Sequence, residues 1–120
     1  MNAAHKSGVN VTIGSDEESV LNTFQSSGIL RLKFEDLNES IEKIKTFHKS
    51  HPINFIIGVE EQTCLLAVKA LEKLGLPHNS IGSIKASINK YQFRNTLKKI
   101  GLPHPIFQCV KPNDDIRTLA

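Results

Sequence analysis

The chain contains no tryptophan, one tyrosine and six phenylalanines in 120 residues. Platforms for single-stranded nucleic acid stack successive bases on aromatic rings, and this composition supplies few of them. Only two cysteines occur, Cys64 and Cys109. They lie far apart and form no CxxC pair, which argues against a disulfide framework and fits a reducing cytoplasm. The opening residues MNAAHKSG lack the apolar centre of a signal peptide. No apolar run approaches the roughly 20 residues that a membrane-spanning helix requires. A soluble, cytoplasmic protein without a membrane partner is therefore expected. GxGxxG, GxxxxGK[ST] and GxSxG are all absent, so neither a Rossmann phosphate loop, a P-loop nor a serine nucleophile elbow is present.

The chain carries a formal charge of +3, which at first suggests a polyanionic partner. Lys43, Lys45 and Lys49, however, share a segment with Glu39 and Glu42, and Lys69 and Lys73 flank Glu72. Interspersed signs of this kind mark a solvated helix face rather than a binding stripe, so nucleic acid is not an expected partner. The length is that of one ordinary domain, with enough apolar content for a core.

Apolar and polar residues alternate along Val9–Ile13, which predicts a half-buried strand. Ser15 and Glu18 have capping-box spacing, and Val20, Leu21 and Phe24 give the next segment a helical apolar side that Gly28 ends. Ile29–Phe34 reads as a second strand with Leu30, Leu32 and Phe34 on one face. Asp36 is placed to cap a helix whose stripe is Leu37, Ile41, Ile44 and His48. Ile53–Val59 is apolar on both faces, as strands of helix-covered parallel sheets are. A helix over about Glu61–Leu74 follows, with Cys64, Val68 and Leu71 on one side, ending at Gly75 with Pro77 beyond. A short helical stretch near Ser80–Ser87 and another over about Asn89–Ile100 come next, then a final strand at Pro105–Val110. Alternation of strand and helix predicts an α/β fold: a parallel sheet with right-handed crossover helices in three layers.

In open parallel sheets, ligands gather at the carboxyl ends of the strands. That rule selects the loops at Gly14–Asp16, Glu35–Asp36 and Gly58–Glu61. Glu60 and Glu61 are the substrate-binding candidates, because two carboxylates directly follow a buried strand. The competing explanation is that acids in a first helical turn complement the helix dipole. His48 and His51 are three residues apart but lack a matching acid or cysteine set, so no metal ligands are assigned. His5, His78 and His104 are solitary and read as surface residues. Lys90 opens a helix directly after Asn89, where a compact ammonium suits a phosphate, although a solvated helix lysine looks the same in sequence.

Leu74-Gly75-Leu76-Pro77, then Asn89-Lys90 with Arg94 four residues on, then Gly101-Leu102-Pro103-His104-Pro105, resemble the junction in ATP-grasp enzymes between the amino-terminal domain and the ATP-binding domain. Two positions depart from the family pattern: Asn89 stands where Asp is usual, and His78 where Gly is usual. The resemblance spans residues 5 to 110 and is distinctive in the later half. It implies an incomplete pre-ATP-grasp α/β domain over 1–88 lacking its first strand. Residues 89–120 would then be a linker helix and the start of the ATP-grasp domain. Asn2–Ser7 would be the tail of the family's first helix.

The Glu-Glu pair before a helix is similar to that of amino-acid and other carboxylate–amine ligases. By resemblance, Lys90 contacts the ATP phosphates. ATP and Mg2+ are cofactors of the full-length relative, with neither site complete in this stretch. The implied partners are ATP, a small carboxylate and amine, and the downstream domain. The implied role is one wall of the ATP and substrate cleft, with no ligase activity from the isolated chain. The alternative is a non-catalytic α/β binding or association module, because an absent strand would leave an unpaired edge that favours self-association.

Overall fold

The computed structural model describes residues 2–16 and 28–115. The elements are α1 (Asn2–Lys6), β1 (Ile13–Ser15), β2 (Ile29–Arg31), α2 (Leu37–Ser50), α3 (Glu61–Leu74), α4 (Ile81–Ile88) and α5 (Lys90–Lys99). They form two compact units, Met1–His78 and Asn79–Ala120. The spatial division thus falls ten residues ahead of the expected 88/89 boundary, because α4 packs on α5.

In the first unit β1 and β2 pair in parallel, with Ile13 opposite Ile29, Gly14 opposite Leu30 and Ser15 opposite Arg31. Parallel neighbours cannot be joined by a tight turn. The helix expected in that connection, with Glu18, Val20, Leu21 and Phe24, lies outside the described residues. Both strands are shorter than the sequence pattern suggested, for reasons visible in the hydrogen bonds. The Val9 amide donates to Ala4 O at 2.9 Å and Gly8 N donates to His5 O at 3.1 Å, closing α1 and holding Val9 outside the ladder. At the other strand, Leu32 N still reaches Ser15 O at 2.8 Å. Lys33 does not continue the sheet, because its amide donates to Ser40 Oγ at 2.9 Å and its carbonyl accepts from the same hydroxyl at 2.8 Å.

Ser40 is fully buried and lies in the first turn of α2. Its two bonds tie the end of β2 to that helix. Asp36 caps α2 as expected, its Oδ1 accepting from Glu39 N at 2.9 Å. Ile41 and Ile44 are buried from the stripe read in sequence, and they meet Leu32 of the sheet and Leu66 and Ala70 of α3 in one core. Leu30, Phe34, Leu37, Ile53, Ile56 and Leu74 pack around it. Ala70 is 0% exposed, and its small side chain suits a close approach of α3 to α2. Each buried large aliphatic side chain contributes roughly 1.5–3 kcal/mol. The buried face of α3 also takes in Ala67, Val68 and Leu71, a wider arc than the single stripe expected.

His48, expected on the α2 stripe, is half-buried, and its Nδ1 accepts from the Ile53 amide at 2.9 Å. Ile53–Val59 forms no strand, against expectation. Ile53 and Ile56 face the core, but Phe55, Ile57 and Val59 are 61%, 76% and 91% exposed. Among the described residues no strand lies beside this segment to complete a ladder.

At the end of α3, Gly75 N bonds to Glu72 O and Leu76 N to Leu71 O, with Gly75 at φ 67°. Gly101 ends α5 in the same way, at φ 72°, with Leu102 N on Leu97 O. This left-handed closure favours glycine, and the following Leu-Pro prevents the helix from resuming. The Gly-Leu-Pro punctuation read in sequence is therefore structural at both sites.

Glu39 bridges Lys33 at 2.8 Å and Lys43 at 2.9 Å. Hydrogen bonds from Lys33 and Lys43 lower its pKa, and the Glu39 bond raises that of Lys33. A lowered carboxylate pKa contributes stability above the ordinary 4.5, lost as pH falls through the folded value. A raised lysine pKa contributes below the ordinary 10.5, lost as pH rises through its folded value. Melting curves of Glu39→Gln should therefore lie below wild type near neutrality and converge with it in acid. Ser40→Ala strands both Lys33 main-chain groups, and denaturant unfolding should show a loss of about 1–3 kcal/mol.

Candidate functional site

Glu60 and Glu61 sit together at the start of α3. Thr63 builds that start: its Oγ1 accepts from Glu60 N at 3.0 Å and donates to Glu60 O at 2.9 Å. Glu60 is the N-cap residue in extended conformation, Glu61 is the first helical residue, and both side chains are exposed. Gly58 sets their approach. A Cβ there would lie 2.5 Å from Cys64 N and 2.6 Å from Thr63 C, so only glycine lets the chain run this close to the helix. The Cys64 thiol donates to Gly58 O at 3.5 Å across the same contact. Both carboxylates thus project from a helix start, which serves the helix dipole and leaves them open to a ligand.

Lys90 belongs to the second unit, as the first residue of α5. Asn89 closes α4 with its amide on Lys85 O at 3.3 Å and opens α5 with its Oδ1 accepting from Gln92 N at 3.0 Å. One residue makes the joint between two helices, with its backbone N–H on α4 and its side chain on α5, and a side-chain amide or carboxylate serves the capping role equally well. Ser80 caps α4 likewise, accepting from Ser83 N at 3.0 Å. Lys90 is exposed in the first turn of α5. Arg94 and Lys98 follow at steps of four, so three cations share one helix face.

The segment after Gly101 does not form the strand expected at Pro105–Val110: it has no regular structure, and Ile106 is fully exposed. Phe107 anchors it instead. Tyr91 and His104 meet the Phe107 ring edge-on at 5.8 and 5.9 Å, and the Arg94 guanidinium lies 6.0 Å from its centroid. An open groove lined by Tyr91, Asn95, Lys98, His104 and Phe107 results. His104, expected at the surface, is half-buried, and its Nε2 is shut off from solvent without a hydrogen-bond partner among the described residues. Tyr91, His104 and Phe107 were not identified from sequence as one cluster. The available signal was the position of an aromatic ring just beyond the helix-ending Gly-Leu-Pro, within reach of the chain's lone tyrosine. Among the described residues no group of three or more His, Cys, Asp or Glu converges, so these side chains do not fit a magnesium site. No helix among them is long and apolar enough to cross a membrane.

The parallel pair with α2 and α3 packed on it forms an incomplete α/β fold. A family model for the ATP-grasp N-terminal domain matches residues 1–78, coinciding with the first compact unit. The chain belongs to the ATP-grasp N-terminal domain family. The fold is similar to that in the crystal structure of an L-amino acid ligase from Bacillus licheniformis, with a TM-score of 0.77 at 23% identity. That match covers 89% of this chain and 28% of the ligase chain, so this chain spans little more than a quarter of that protein's length. No curated protein matches.

The Asn89 joint can be tested directly. Asn89→Asp should keep the α5 cap, whereas Asn89→Ala should lose about 0.5–2 kcal/mol of helix stability. Amide exchange at the first turn of α5 should accelerate only in the alanine variant.

Proposed function

We propose that this chain is the amino-terminal part of an ATP-dependent carboxylate–amine ligase of the ATP-grasp type, acting in the cytoplasm and forming one wall of its ATP and substrate cleft. The family membership of residues 1–78 is the observation that carries this reading. In that reaction, ATP phosphorylates the carboxylate, and the amine displaces phosphate from the acyl phosphate. Charge neutralisation and positioning dominate such phosphoryl transfer. Lys90 is the residue assigned to the phosphates. It stands at a helix start, where the ammonium and the first-turn amides act on an anion together. Glu60 and Glu61 are assigned to the substrate, as acceptors for an ammonium or hydroxyl group. The functional boundary then lies at 88/89, with α5 leading into the ATP-binding domain, while α4 packs with α5.

Magnesium in the whole ligase would neutralise phosphate charge. The described residues offer it no ligand set, so its ligands are assigned outside them. For the same reason the isolated chain is expected to be inactive. A second reading, an association module without catalysis, is favoured by the exposure of Phe55, Ile57 and Val59.

Two measurements test the assignment. The purified chain with ATP, magnesium and an amino-acid panel should release no phosphate above background, and release would overturn the inactivity claim. In an NMR titration with ATP, shifts should centre on Lys90 and its neighbours. Lys90→Ala should weaken binding about tenfold, the worth of roughly 1.4 kcal/mol from one charged contact. An unchanged titration would return Lys90 to the solvated helix face.

A further inference from the structure

Two histidines close α2, and their contacts differ. His51 stacks on Phe47 at 4.7 Å, and its Nδ1 meets Ser50 Oγ at 2.9 Å, so both partners belong to its own helix end. His48, in the last turn, reaches beyond the helix instead: its Nδ1 accepts from the Ile53 amide at 2.9 Å. Ile53 is half-buried against the core, and its amide has no main-chain partner among the described residues. One ring nitrogen therefore fastens the corner between α2 and the segment that leads to Glu60 and Glu61. The far end of that segment is held separately, by the approach of Gly58 to Cys64.

An imidazole nitrogen accepts a hydrogen bond only while it carries no proton. A proton on Nδ1 turns the acceptor into a second donor, facing the Ile53 N–H. Imidazole is the side chain that ordinarily changes charge between about pH 5 and 8. The carbonyls of a helix's last turn favour a cation, so the amide suits the neutral ring and the helix end suits the charged one. The charged residues of α3, which packs on α2, are Glu61, Lys69, Glu72 and Lys73. Arg31 lies in β2, and Lys45, Lys49 and His51 share the end of α2. None of these is ion-paired with His48 among the described residues, and Pro52–Val59 carries no charge.

We propose that His48 is a proton-operated latch: the neutral ring holds the Ile53 amide, and protonation opens the corner ahead of Glu60 and Glu61. This inference is independent of nucleotide binding. NMR of the full chain between about pH 8 and about pH 5 tests it. At the upper end His48 should be the Nε2–H tautomer, with the Ile53 amide shifted downfield and protected from exchange. As the His48 ring titrates, that amide should move upfield and its protection factor should fall about tenfold, the worth of one hydrogen bond. Protection at Leu66 and Ala70 in the core should hold. Asparagine carries Oδ1 on Cγ as histidine carries Nδ1, so His48→Asn keeps an acceptor that takes up no proton. Its Ile53 protection should stay high and flat across the range, whereas in His48→Leu it should be low throughout. An Nδ1–H tautomer at the upper end overturns the proposal. So does an Ile53 amide that ignores the His48 titration, a core that loses protection in step with it, or a pH response that survives in His48→Asn.

Discussion

A buried hydroxyl holds the first unit together. Ser40 takes both main-chain groups of Lys33, the residue at which β2 stops being sheet. A buried polar group is tolerated only when its hydrogen-bonding capacity is filled, and here one side chain fills a donor and an acceptor of the backbone at once. That pair fixes where the strand ends and where α2 begins. Ile41 and Ile44 are thereby aimed at Leu32, and α3 closes over them with Leu66 and Ala70. The exposed bridge from Glu39 to Lys33 and Lys43 lies over the same corner. Its contribution is modest because water screens it.

The second unit rests on different physics. Neither α4 nor α5 buries a residue. Its order comes from local devices: the Ser80 and Asn89 caps, the Gly101 closure and the Phe107 ring set against Tyr91, Arg94 and His104. Caps and ring contacts contribute on the order of 1 kcal/mol each. A unit held by such terms keeps its cations at the surface, where Lys90, Arg94 and Lys98 are presented on one helix face.

The ligase role proposed above rests on membership of the ATP-grasp N-terminal domain family, with the fold likeness to an amino-acid ligase and the capped helix start bearing Lys90 beside it. The two candidate features differ in kind. Glu60 and Glu61 are held by a helix start with its own structural reasons for acids. Lys90 has no salt bridge among the described residues and stands where anions bind helices. The exposed apolar segment at Phe55–Val59 belongs to neither.

Local signals were readable from residue order because their causes are local. Asp36 and Asn89 cap helices through bonds spanning three residues. Gly75 and Gly101 end them through the left-handed backbone that glycine tolerates, and Ile41 and Ile44 fall on the buried face by helical period. The α/β class followed from these alternations. Strand extents did not, since a strand exists only where a neighbour supplies its hydrogen bonds. Val9 is drawn back to Ala4, Lys33 is captured by Ser40, and Ile53–Val59 finds no partner among the described residues, although all three stretches have strand composition. The Phe107 cluster was hidden for the same reason. Contacts between segments depend on how the chain folds back on itself, and spacing along the chain carries no record of that.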